Sequence, residues 1–168
     1  MQSLTFPAVV NPHPKMIVIE CVEPRCGIAF ELFREAIGFK RERGDLLKKL
    51  AGGPVALAHP HYMPSRAKWL RKQLRFACDK FPSIETIFAI MHEDCKYYHV
   101  MPDRCHRLGQ ERSDLPFIGG FLGYHFPNQK TELYYARFIK GETEITFDRV
   151  EEFKRFHHEH EAKALATH

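Results

Sequence analysis

Two cysteines and one histidine set the chemistry this chain could do. His92 and Cys95 stand three residues apart, just past Ile84 to Met91, a mostly apolar run that the charged cluster after it cuts short. Such a run, bounded by Pro82-Ser83, predicts a buried strand rather than a helix. An imidazole and a thiolate both suit borderline-soft zinc, and the short spacing lets one turn present the two to a single ion. Cys21 ends a second apolar run, Met16 to Cys21 (MIVIEC). Two parallel strands finishing at the same sheet edge would bring three ligands together and leave a fourth tetrahedral position open, the make-up of a catalytic zinc site. Standing by itself, Cys21 reads as a small core residue at a strand end; beside His92 and Cys95 it reads as a ligand.

These residues need a scaffold, and the order of elements predicts one. Met16 to Cys21 is nearly continuous in apolar character, as a parallel strand covered on both faces must be. A helix opening at Gly27 repeats Ala29, Leu32, Phe33, Ala36 and Ile37 at helical spacing, and Gly38 closes it. Asp45 to Leu50 reads as a short helix ending in Gly52-Gly53, and Pro54 to His59 (PVALAH) as strand two. Pro64-Ser65 starts a helix with a Leu70, Leu74, Ala77 or Cys78, and Phe81 stripe, leading into the strand before His92. Tyr97 to Arg112 reads as partly helical, and Asp114 to Asn128 as loop. Thr131 to Lys140 and Thr143 to Phe147 form a hairpin at the sheet edge. Asp148 and Glu151 resemble a capping box for a terminal helix over 148–168 carrying Val150, Phe153 and Phe156. The expected fold is α/β: one domain over 1–168, a mainly parallel central sheet with helices on both faces and an antiparallel edge strand, preceded by a proline-rich extended arm over 1–15.

Composition narrows the function. A chain of 168 residues that is 44% hydrophobic can bury one core unaided. Its net charge of +4 comes from 25 basic and 21 acidic residues mixed along the sequence, so no nucleic-acid partner is expected, and the Arg66, Lys68, Arg71, Lys72 and Arg75 cluster reads as a solvated helix face. No apolar run approaches a membrane span and no leader is evident, which predicts a cytoplasmic protein without a membrane partner. Five cysteines, an odd number, do not suggest a disulfide framework. A disulfide oxidoreductase is disfavoured because no Cys-x-x-Cys stands at a strand-to-helix junction.

Cys21-x-Glu23-x-Arg25 followed by His92-x-x-Cys95 after an apolar strand resembles the Cys-x-Asp-x-Arg and His-x-x-Cys signatures of the β-class carbonic anhydrases. The order of elements over roughly residues 16 to 147 is similar as well. The resemblance implies Zn2+ held by Cys21, His92 and Cys95, reversible hydration of carbon dioxide to bicarbonate by zinc-bound hydroxide, and a homodimer or higher homo-oligomer. It gives catalytic roles to Glu23, which accepts a hydrogen bond from the zinc-bound water, and to Arg25, which orients that carboxylate. It also implies a sheet with strands two and three on either side of strand one, so that the ligands fall at a topological switch point. Departures are Glu for Asp at 23, Lys96 after the second cysteine, and Ala58-His59-Pro60 where an Asn-Ala-Gly segment would follow strand two. The alternatives are a zinc-binding relative without hydration activity, with a structural, sensing or binding role, and a hydrolase of a related heterocumulene such as carbonyl sulfide or carbon disulfide.

Other histidines and cysteines carry two readings each. His59 and His61 could reach the same crevice as a fourth ligand or proton shuttle, or simply be exposed. Cys105-His106 with His99 could form a second metal site. His157, His158 and His160 read as a solvated helix end, Cys26 and Cys78 as packed thiols, and Phe117, Phe121, Tyr124 and Phe126 as pocket wall or packing.

Overall fold

A computed structural model describes residues 8–101, 110–139 and 143–151. A five-stranded sheet in the order β2-β1-β3-β4-β5 organises them. β1 (Met16–Cys21) pairs in parallel with β2 (Leu46–Leu50) on one side and β3 (Thr86–His92) on the other. β4 (Lys130–Ile139) runs parallel to β3, and β5 (Glu144–Val150) closes the edge antiparallel to β4. The expected fold class holds. The chain leaves β1 to one side and returns on the other, so the crevice for a ligand opens between the carboxyl ends of β1 and β3. Cys21 is the last residue of one and His92 of the other.

Alternation along the strands assigns the helices to faces. Phe33 of α1 (Gly27–Ala36) packs edge-on against Tyr134 at 4.8 Å and stacks on Phe147 at 4.2 Å. Arg112 of α4 (Gln110–His125) instead lies over the neighbouring Tyr135 ring, on the opposite face. α3 (Pro64–Lys80) buries Leu70, Leu74 and Ala77 of the expected stripe and adds Ala67, while Cys78 and Phe81 stay half-buried.

Three expectations need correction. Asp45 to Leu50 is not a helix: Leu46–Leu50 is the edge strand β2, whose Lys49 reaches back to Glu20 at 3.4 Å. Pro54 to His59 is not strand two: Val55–Ala58 forms one helical turn, α2, with Val55, Ala56 and Leu57 buried. A short apolar run suits a buried turn of helix as well as a strand, and periodicity cannot separate them. Asp114 to Asn128 is not all loop: its residues through His125 are the greater part of α4, and only 126–128 lie beyond the helix. Asp148 and Val150, expected in a terminal helix, instead lie in β5 opposite Tyr135 and Leu133, and Glu151 follows the strand; 152–168, with His157, His158 and His160, lie outside the described residues, as do Cys105 and His106.

Asp45 fastens the entry to β1 and β2. Its buried carboxylate accepts the backbone N–H of Lys15 at 2.7 Å and of Lys40 at 2.9 Å, and is clasped by the Arg43 guanidinium. Burial alone would raise its pKa, but Arg43 and the two N–H donors outweigh that and hold it below the ordinary carboxylate range. A depressed folded pKa contributes stability that is fully present above the unfolded value near ~3.9 and is lost as pH falls through the folded one. Asp45→Ala is therefore expected to cost about 2–3 kcal/mol at neutral pH by urea denaturation, and less as the medium is acidified through that window.

Candidate metal centre

The three expected ligands meet at the carboxyl edge of the sheet. Among the described residues, Cys21, His92 and Cys95 form the group of potential ligands whose donor atoms all lie within 4.8 Å of one another. All three are buried, at 5%, 1% and 2% exposure. Glu23 is not in that group, so its carboxylate stands more than 4.8 Å from at least one of the three donors.

Whether these residues suit a metal can be judged from their hydrogen bonds. His92 Nδ1 lies 2.8 Å from the Glu93 carbonyl, which can only accept, so Nδ1 carries the proton. Nε2 is buried and meets no partner at hydrogen-bond distance among the described residues; burial alone would lower the imidazole pKa, but the Cys21 sulfur is near enough to raise it. An orphaned acceptor in a dry site is what a cation would satisfy. The Cys21 and Cys95 sulfurs lie 3.8 Å apart and share a hydrogen bond. That bond, donated by Cys95, holds Cys21 well below the ordinary thiol range, and the same bond together with burial pushes Cys95 up. A divalent cation would take the place of the shared proton, and two thiolates would cancel its charge. The residues fit zinc.

Around the donors the chain is pinned from several directions. Arg25 Nε donates to Glu23 Oε1 at 2.9 Å and its backbone N–H reaches the same oxygen at 3.3 Å. The guanidinium also donates to the Asp94 carboxylate and carbonyl, each at 3.1 Å, and lies over Phe138 at 4.9 Å. Arg25 thus joins the turn after Cys21 to the turn between His92 and Cys95. Asp94 adopts a left-handed φ of 51°, a conformation aspartate tolerates better than most side chains, and so folds Cys95 back toward His92. Gly53 supports the other side. A Cβ there would stand 3.3 Å from the Cys21 nitrogen and 3.2 Å from the Ile90 carbonyl oxygen, so only glycine lets the loop after β2 lie against both ligand strands.

Against solved structures, the chain is similar to a crystal structure of β-carbonic anhydrase isoform I from the protozoan Trichomonas vaginalis, with a TM-score of 0.50 and 12% identity over 89% of this chain and 90% of that one. The fold is β-carbonic anhydrase-like. No family model matches the sequence, and no curated protein does. With β2 ending at Leu50, the segment after strand two is Ala51-Gly52-Gly53 rather than Ala58-His59-Pro60.

Sequence reasoning missed Asp94, Glu111 and Asp114. Glu111 is 2% exposed and accepts the Cys95 backbone N–H, while burial raises its carboxyl pKa. Asp114 accepts the Tyr98 hydroxyl at 2.5 Å and lies 2.8 Å from His59 Nε2, tying the end of α2 to the turn that carries Cys95. His59 is thus held in a structural contact, and the His61 ring lies tilted against Tyr62 at 3.8 Å. His99, the described member of the suggested second site, pairs with Asp94 at 3.6 Å. Cys26 is fully buried and its thiol is pushed up to about 12, chiefly by desolvation, which suits a packed thiol rather than a ligand. Among the described residues, no helix is long and apolar enough to cross a membrane.

Proposed function

We propose that this chain is a zinc-dependent lyase of the β-carbonic anhydrase kind that interconverts carbon dioxide and bicarbonate, with Cys21, His92 and Cys95 as metal ligands and Glu23 and Arg25 as the groups beside the reacting water. The same reading makes it a homo-oligomer of the cytoplasm with a small-molecule substrate. The observation that carries it is the convergence of two sulfurs and an unpartnered imidazole nitrogen at the switch point of a β-carbonic anhydrase-like sheet. Zinc, when bound, supplies a Lewis acid that brings the ionisation of water toward neutrality. The chain does the rest. Burial keeps bulk water from the sulfurs, and the Nδ1 bond to Glu93 aims His92 Nε2 inward. Arg25 fixes the Glu23 carboxylate as an acceptor that orients the incoming water for attack on the substrate carbon.

Metal analysis of untagged protein, paired with stopped-flow hydration, tests this. Wild type is expected to carry one zinc per chain and hydrate carbon dioxide. Glu23→Gln should keep the zinc and lose about 10- to 100-fold in rate, as changes beside a metal site do. Full zinc with no hydration by the wild type would sink the lyase and leave a zinc centre that serves folding or binding. The same assay with carbonyl sulfide separates the related hydrolase.

A further inference from the structure

The outer side of α3 carries chemistry that the metal centre does not use. Its 17 residues include six basic side chains, at 66, 68, 71, 72, 75 and 80, and one acidic, Asp79, a net charge of +5. The whole chain is +4, so everything outside this helix sums to −1. The protein's positive charge is concentrated on one element, the helix whose basic cluster the sequence already marks.

The charge surrounds a cavity. A cleft of about 450 Å³ between α3 and the carboxyl end of α4 is lined by Arg71, Lys72, Arg75, Phe76, Asp79 and His125. Arg75 is already set in place: Nη2 donates to the His125 carbonyl at 2.7 Å and the guanidinium lies over Phe126 at 5.2 Å. Phe76 is 62% exposed and Trp69 48% exposed. They are seven residues apart, two helical turns, with Lys72 between them on the same stripe. Burying the opposite side of α3, at Ala67, Leu70, Leu74 and Ala77, uses up its apolar face. No apolar face is therefore left to enter a lipid layer, and the outer aromatics are interleaved with cations instead of segregated from them. A concave site with cations beside an exposed ring fits a ligand that has both a phosphate and a planar base.

We propose that this cleft binds a mononucleotide, its phosphate held by Lys72 and Arg71 and its base laid against Phe76. The site is independent of the metal centre and stands whether or not the lyase reading does.

Trp69 is the sole tryptophan of the chain, so its emission reports on this helix directly. Titration of full-length protein with AMP, followed by that emission and by calorimetry, is expected to show saturable binding that weakens with added salt. Lys72→Glu and Phe76→Ala alter exposed side chains; each should weaken AMP binding about tenfold, with melting temperature and zinc content unchanged. Inorganic phosphate should bind far more weakly than AMP. Equal binding of phosphate and AMP, no saturation at millimolar AMP, or AMP affinity untouched by both variants would overturn the proposal. So would binding of a short oligothymidylate with none of AMP, which would make the surface a single-strand platform.

Discussion

Cys95→Ser is expected to bind zinc about a thousandfold more weakly than wild type, and His92→Ala about as weakly, in competition with a chromogenic chelator. Structural zinc sites in peptides release ~10–16 kcal/mol, so the loss of one protein ligand among three removes on the order of 4 kcal/mol, roughly three decades in affinity. Serine offers an oxygen that stays protonated near neutrality and cannot replace the thiolate's charge. Hydration should fall with zinc occupancy, and so should the stabilisation that added zinc gives in thermal unfolding, because a ligand that binds the folded state raises its melting point. Cys78→Ser is the control: that thiol is half-buried on α3 and should leave zinc affinity unchanged. Wild-type affinity in both Cys95→Ser and His92→Ala would show that these side chains do not hold the metal, and the functional reading would go with them.

The clustering of Cys21, His92 and Cys95 was legible because its signals are local. A run of apolar residues that stops at Cys21, and another that stops at His92 with Cys95 three on, each place a soft donor at a strand end. Parallel pairing then brings those ends together. What surrounds the donors was not legible, for reasons particular residues show. Asp94 matters through its left-handed backbone and its bonds to Arg25, neither of which a residue type announces. α4 was hidden by its own buried stripe. Glu111, Asp114, Leu115, Ile118, Leu122 and His125 recur at helical spacing, but half of them are polar, and Pro116 with Gly119-Gly120 reads as loop. Buried carboxylates that accept a backbone N–H or a tyrosine hydroxyl break the rule that an inward stripe is apolar. β2 and α2 were interchanged because Leu46–Leu50 contains two lysines and Val55–Ala58 contains none. A sheet edge admits lysines, and a single buried turn needs to be wholly apolar.

Arg34→Ala is expected to destabilise the fold by about 3–5 kcal/mol, the usual cost of removing one partner from a buried ion pair. Glu20 is fully buried, and Arg34 of α1 donates to its two oxygens at 2.6 and 2.7 Å from a side chain only 5% exposed. Lys49 at 3.4 Å is 45% exposed and can offset only part of the charge left behind. The position gives the loss a functional reading. Glu20 immediately precedes Cys21, so this pair fastens the last residues of β1 to α1 beside the proposed metal centre. Arg34→Ala should therefore lower zinc affinity as well as melting temperature, although Arg34 is not one of the ligands. Replacing both partners with leucine removes the unpaired charge and should recover much of the stability, since apolar packing can match a buried ion pair. If the single and double variants melt together, the penalty comes from lost packing rather than an orphaned carboxylate, and the electrostatic account of the β1 anchor fails.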